Sequence, residues 1–258
     1  MDSNPSNERV TLFKQYRQNQ ELSKLDKQAM YNYDYFVSYA STEFKRRLDT
    51  AIQIAQWIVE RYSKNIKILD VGCGIGHYLI ALDKLGVKQL YGVDISPEAI
   101  FAANKKVEAR LAVVDIDREK LPYRDNFFDV VWFAHVIEHL QNPVHILHEI
   151  RRTMKKKGAL LLATENAEPI SVWLRGYRGS PEHTPQYDHY RLYTIEEIAK
   201  MLESTGFVIK SKEIQVHDDP IQVLLDSPWA NTQLKNFVTM LSQEIGLASC
   251  FFIIAEKS

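Results

Sequence analysis

From Ile66 onward, short runs of aliphatic and β-branched residues alternate with stretches whose apolar positions recur every three or four residues. The first pattern has the period of a buried strand, the second that of a helix with one apolar face. Strands are expected at 66–71, 89–94, 110–115, 128–133 and 158–164, with two more at 206–216 and 248–256. Such alternation predicts an α/β fold, a doubly wound and mostly parallel sheet with helices on both faces. The long connection before the return strand suits an antiparallel hairpin, the last strand included, at a sheet edge.

Local signals mark where the helices begin and end. Ser96-Pro97-Glu98 supplies an N-cap, a first-turn proline and a first-turn acid. Asn142-Pro143 opens another helix, with Leu147, Ile150 and Met154 on one face; Lys155, Lys156 and Lys157 are expected in its last turn, with Gly158 ending it. Thr194 and Glu197 form a capping box for a helix that Gly206 stops. A helix-like stretch covers 233–245. Before Ile66 the chain is polar, with Tyr31, Tyr33, Tyr35 and Tyr39 clustered ahead of a helical stretch at about 42–62. Residues 1–64 are therefore read as an N-terminal helical cap, and 65–258 as one catalytic domain with a loop insertion at 165–194.

Charge and composition narrow the function. With 32 Lys+Arg against 33 Asp+Glu, the net charge of -1 gives no global attraction to nucleic acid or an anionic membrane. No run approaches a membrane span, and the polar start lacks a signal-peptide pattern, so a cytoplasmic protein is expected, its oligomeric state undetermined. Cys73 and Cys250 match no disulfide framework or thiolate metal site.

The strongest chemical signal is ILDVGCGIGHYLIAL, a strand ending at Asp70 and running into Gly72, Gly74 and Gly76 before a helix. A dinucleotide loop needs G-x-G-x-x-G; here the spacing is G-x-G-x-G, and His77 stands at the third glycine's place. An acid ahead of the glycines repels pyrophosphate and suits the ammonium group of an amino acid. The segment Asp70-Val71-Gly72-Cys73-Gly74-Ile75-Gly76 resembles motif I of class I S-adenosylmethionine-dependent methyltransferases, the type 11/12-like group among them, which have a Rossmann-like sheet. Gly92-Val93-Asp94-Ile95-Ser96 resembles the second motif, and VVDIDREKLPYRDNFFDVV the third.

The resemblance implies S-adenosylmethionine as cofactor, with Asp94 on the ribose hydroxyls and Asp115 and Ile116 at the adenine; Asp117 is a rival for Asp115. It implies further cofactor contacts at Asp70, Gly72, Cys73, Gly74, Gly76, Ile95 and Ala134. The segment FAHVIEHL (133–140) follows the fourth strand, where this family faces the methyl group and the acceptor. If it is helical, His135, Glu138 and His139 stand on one face. Similar segments in metal-binding members of the family, together with a downstream histidine at a position like His189, imply a divalent metal held by His135, Glu138, His139 and His189. Two alternatives stand beside this: a general base among His135, His139 and His189, or a structural role. Candidate acceptor-lining residues are Trp173, Arg175, Tyr177, Arg178, His183 and Tyr187. A small-molecule hydroxyl is the expected acceptor; RNA or protein, or a cofactor-binding subunit without catalysis, are the alternatives.

Overall fold

The computed structural model describes residues 23–32, 48, 51–167, 190–215 and 250–258. Among these lie α1 (Lys24–Met30), α2 (51–62), β1 (Lys67–Val71), α3 (His77–Lys84), β2 (Gln89–Asp94), α4 (Pro97–Asn104) and β3 (Arg110–Val113). There follow β4 (Phe128–Ala134), a 3₁₀ turn (Ile137–His139), α5 (Pro143–Thr153), β5 (Met154–Glu165), α6 (Ile195–Ser204), β6 (Phe207–Gln215) and β7 (Cys250–Lys257). The described strands form one seven-stranded sheet in the order β3-β2-β1-β4-β5-β7-β6. The pairs among β1 to β5 are parallel, and β7 runs antiparallel to both β5 and β6. The last strand is therefore the antiparallel one, but it is inserted between β5 and β6, and β6 is the edge.

Alternation along the strands divides the core into two layers. Leu69, Val71, Val131 and Phe133 pack on one face with Leu147 and Ile150 of α5 and Ile198 and Leu202 of α6. Ile68, Val130 and Trp132 face the other way, against Ala55 and Ile58 of α2, Leu79 and Leu82 of α3 and Ile100 of α4. Both faces of the central strands are thus covered, which is why they read as nearly continuous apolar runs. No helix among the described residues is long and apolar enough to cross a membrane.

Two boundary signals act as their chemistry requires; Asn142 precedes Pro143 at the start of α5 without a side-chain cap bond, and one signal fails outright. Ser96 Oγ accepts the Ala99 N–H, and Thr194 with Glu197 closes a reciprocal capping box. The exception is the lysine run: α5 ends at Thr153, its last-turn cations are Arg151 and Arg152, and Lys155–Lys157 begin β5. The pairing slips there, with Phe128 opposite Met154 and Val130 already opposite Ala159. Lys155 reaches across that bulge to Asp129 at 2.6 Å, so the lysines serve a strand irregularity and not a helix dipole. The expected helix at 233–245 and the tyrosines at 33, 35 and 39 lie outside the described residues.

Candidate functional site

The carboxyl ends of β1, β2 and β3 converge on the glycine turn. Gly72 and Cys73 both donate their N–H to Val93 O, at 2.8 and 3.0 Å, folding the turn back over β2. That path requires φ of +76° at Gly72, where a Cβ would lie 2.3 Å from Val136 Cγ2. Glycine is needed here for handedness and for contact, since Val136 belongs to the turn after β4. The turns following β1 and β4 are thereby pressed together.

Asp94, at the end of β2, stitches the loops on either side of it. Its Oδ2 accepts the Gly74 N–H at 2.8 Å and its Oδ1 the Ser96 N–H at 2.9 Å. Burial raises this carboxyl above its usual range, while the N–H groups of Ser96, Gly74 and Ile95 oppose the rise. Each oxygen retains a lone-pair direction for a further donor. Asp70 is less well served. It is buried, and its Oδ2 has no hydrogen-bond partner among the described residues. Burial, and then the charge of Asp94, push its carboxyl well above the usual carboxylate range. An acid so placed lacks a cation, and a ligand's ammonium group fits that lack in charge and in hydrogen bonding. Cys73 is buried and free; burial and then the charges of Asp94 and Asp70 push its thiol up, so it stays protonated.

Beyond β3, Val114 N–H bonds to Asp94 O at 2.8 Å and carries the chain to two further buried acids. Asp117 is fully engaged: it accepts Asn142 N–H at 2.9 Å, Gln141 N–H at 3.3 Å and the Lys27 ammonium at 2.8 Å. Asp115 accepts Lys27 at 3.2 Å and the Asp117 N–H at 3.2 Å, both through Oδ1. Its Oδ2 is buried without a partner among the described residues. Ile116, between them, is buried in the core layer of α5 and α6. Lys27, from the last turn of α1, is a residue that no feature of the sequence singles out. It lies among other charged residues of a polar stretch, and nothing in the spacing links it to acids 88 and 90 positions away.

The turn after β4 differs from expectation. Residues 135–139 do not form an α-helix: His135 takes a left-handed φ of +53°, its N–H bonded to Ala163 O at 2.9 Å, and only Ile137–His139 coil, as a 3₁₀ turn. The three side chains consequently do not gather into one cluster. Glu138 is buried, its Oε2 accepting the Thr164 hydroxyl at 2.8 Å, while its own carbonyl accepts the N–H groups of Tyr190 and Arg191. His135 is 48% exposed at the side chain, with Nδ1 3.4 Å from Glu138 Oε1, an ion pair when the ring is protonated. His139 turns its ring edge-on to Tyr31, at a centroid distance of 6.1 Å.

Among the described residues no three His, Cys, Asp or Glu side chains stand close enough together to hold a metal ion. The described part of the expected metal set therefore does not fit a metal. The expected fourth ligand, His189, lies outside the described residues, as do Trp173, Arg175, Tyr177, Arg178, His183 and Tyr187. Ala134 ends β4 opposite Ala163, and Ile95 stands between Asp94 and the cap of α4.

Comparison with known proteins agrees with this geometry. A family model described as a methyltransferase domain matches residues 69–162. A Caenorhabditis elegans sterol 4-C-methyltransferase is 31% identical over 39% of this chain and 31% of its own length. A Synechocystis 2-methyl-6-phytyl-1,4-hydroquinone methyltransferase is 30% identical over 63% of this chain and 53% of its own. A ubiquinone biosynthesis O-methyltransferase of Cereibacter sphaeroides is 28% identical over 67% and 69%. The chain thus spans about a third to a half of the first two. Among solved structures, an S-adenosylmethionine-dependent methyltransferase from Archaeoglobus fulgidus superposes with a TM-score of 0.64 at 21% identity, covering 86% of this chain and all of that one, a likeness of fold. Strand order, the glycine turn between two strand-end acids and the matched domain lead to one conclusion: residues 69–162 carry a methyltransferase domain, on a Rossmann-like sheet of the class I kind.

Proposed function

We propose that this chain binds S-adenosylmethionine across the carboxyl ends of β1 to β4 and methylates a hydroxyl of a small molecule. The observation that carries the cofactor assignment is Asp70, a buried carboxylate with a bare oxygen beside a left-handed glycine turn. In this reading Asp70 takes the ammonium group of the amino-acid end. Gly72, Cys73, Gly74 and Gly76 give a main-chain floor without side chains in the way. Asp94 takes the ribose hydroxyls with the lone pairs left over from Gly74 and Ser96. Asp115 takes the amino group of the base; its bare oxygen favours it over Asp117, whose carboxylate already serves three donors.

The cofactor, when bound, supplies an electrophilic methyl group on a sulfonium. What remains for the protein is to align the acceptor and remove its proton. His135 is the proton acceptor this reading favours among the described residues, because it is exposed at the mouth of the β4 turn and its Nδ1 is backed by Glu138. A carboxylate behind an imidazole orients the ring and stabilises the charge it acquires. An oxygen acceptor needs such a base more than a neutral amine does. The small-molecule assignment is supported by the three relatives named above, whose names refer to a sterol, a hydroquinone and ubiquinone biosynthesis. The test is calorimetric titration with S-adenosylmethionine and S-adenosylhomocysteine, followed by transfer of labelled methyl into fractionated metabolite extract. Label recovered in an alkali-stable ether of a small molecule supports the reading. Absence of binding to either compound overturns it, and label in RNA or protein overturns the acceptor class.

A further inference from the structure

A buried lysine persists in a fold where carboxylates compensate its charge. Lys27 is 3% exposed in α1, and its Nζ lies 2.8 Å from Asp117 Oδ2 and 3.2 Å from Asp115 Oδ1. The two acids are not equivalent partners. Asp117 also accepts the N–H groups of Gln141 and Asn142, so it anchors Lys27 to the loop that leads from the β4 turn into α5. Asp115 is gripped through Oδ1 alone, by Lys27 and by the Asp117 N–H, and its other oxygen is buried and bare among the described residues. A carboxylate clamped at one oxygen presents the other in a fixed direction, as an acceptor for a ligand's donor.

We propose that Lys27 is a positioning residue for recognition of the cofactor's base. It holds Asp115 as an oriented acceptor, so that the site selects a nucleoside carrying an exocyclic amino group, and it makes the seating of α1 depend on the same pair of acids. Tyr31, at the end of α1, packs edge-on against His139, so the helix Lys27 anchors also touches the turn where the acceptor is expected. This inference rests on the reading of the strand ends as an S-adenosylmethionine site. Removing the ammonium leaves two buried carboxylates facing each other without a cation, and only the Asp117 N–H, at 3.2 Å, then holds Oδ1 of Asp115 away from the ligand.

The experiment is calorimetry on the full chain with S-adenosylhomocysteine and with S-inosylhomocysteine, in which a carbonyl replaces the amino group. The wild-type protein is expected to prefer the adenine compound by about tenfold or more, as a site built around an acceptor rejects a ligand lacking the donor. In Lys27→Met the adenine affinity falls by about tenfold and the preference shrinks to within about threefold. Lys24→Met is the control: its partner is the surface Glu119 at 2.9 Å, and the preference stays as in wild type. Near-UV circular dichroism checks folding; if Lys27→Met does not fold, Lys27→Gln, which keeps a donor without the charge, carries the test with the same expected loss. An undiminished preference in a folded Lys27 variant overturns the role of Lys27, as does a wild-type protein that binds both compounds equally, and in either case the cofactor reading stands. A wild-type protein that binds neither overturns the cofactor reading itself.

Discussion

The turn after β1 and the turn after β4 touch each other, Val136 lying over Gly72, yet they are built on different principles. The first is held through its own main-chain N–H groups: those of Gly72 and Cys73 donate to β2, and those of Gly74 and Ser96 donate to the neighbouring Asp94 carboxylate. Its chemistry sits at fixed offsets from strand ends, so a ligand meets a surface made before it arrives. The second is tied to distant elements: the His135 N–H donates to Ala163 on β5, the Glu138 side chain accepts from Thr164 on the same strand, and the Glu138 carbonyl accepts from Tyr190 and Arg191. A turn built on left-handed glycines tolerates little change, whereas one tied at a few long-range points can be altered between them. This difference suits a shared cofactor on one side and a variable acceptor on the other.

That contrast can be broken from either side. The largest effect is expected at Asp94→Ala, which removes the proposed ribose acceptor and the stitch between two loops. Affinity for S-adenosylhomocysteine should fall about 100-fold or more by calorimetry, equivalent to about 3 kcal/mol; unchanged affinity would refute the ribose assignment. Gly72→Ala comes next, because it combines a left-handed φ with a 2.3 Å contact. It should cost about 2–4 kcal/mol in denaturant unfolding, and a cost near zero would mean the two turns are not pressed together. Glu138→Ala should cost about 1–3 kcal/mol through the loss of buried bonds to Thr164. It should also lower kcat more than cofactor affinity.

Asp70→Asn is expected to separate stability from binding. The folded carboxyl titrates well above the unfolded value of 3.8. The folded state therefore holds a proton that the unfolded state has released, and the apo protein loses stability as pH rises through the folded value. Asparagine removes that loss, so its advantage in Tm over wild type should be absent below the unfolded carboxyl range and grow as pH rises. Cofactor affinity should fall in the same variant. A Tm difference that shrinks with rising pH would contradict the burial argument. The smallest effect on stability belongs to His135→Gly, which relieves a φ of +53° and should move unfolding by less than about 1 kcal/mol. With His135 as the acceptor's proton acceptor, this stable variant loses most of its kcat while its affinity for S-adenosylhomocysteine stays as in wild type.

The conformation of the glycine turn was legible because each signal it uses is local. Asp70 and Asp94 end strands, glycines mark left-handed positions, and Ser96 caps the helix that Asp94 helps to start. The β4 segment was not, because the pattern His135, Glu138, His139 fits an α-helix as well as a turn. The choice was made by partners elsewhere: Ala163 fixes the His135 amide and Thr164 draws Glu138 inward. The lysine run misled for the same reason, since Asp129 and the slip in the β4–β5 pairing decided its conformation.

By itself the sequence determined the alternation of elements, the parallel sheet with one reversed strand, and the acids and glycines at the ends of its first strands. These follow from periodicity and from residues whose backbone or capping preferences act within a few positions. Only the tertiary structure decided that β7 enters between β5 and β6, that His135, Glu138 and His139 form no common cluster, and that Lys27 sits between Asp115 and Asp117. Those outcomes depend on contacts between residues far apart in the chain, where burial makes an unmatched charge or hydrogen bond costly and the partner is fixed by the fold.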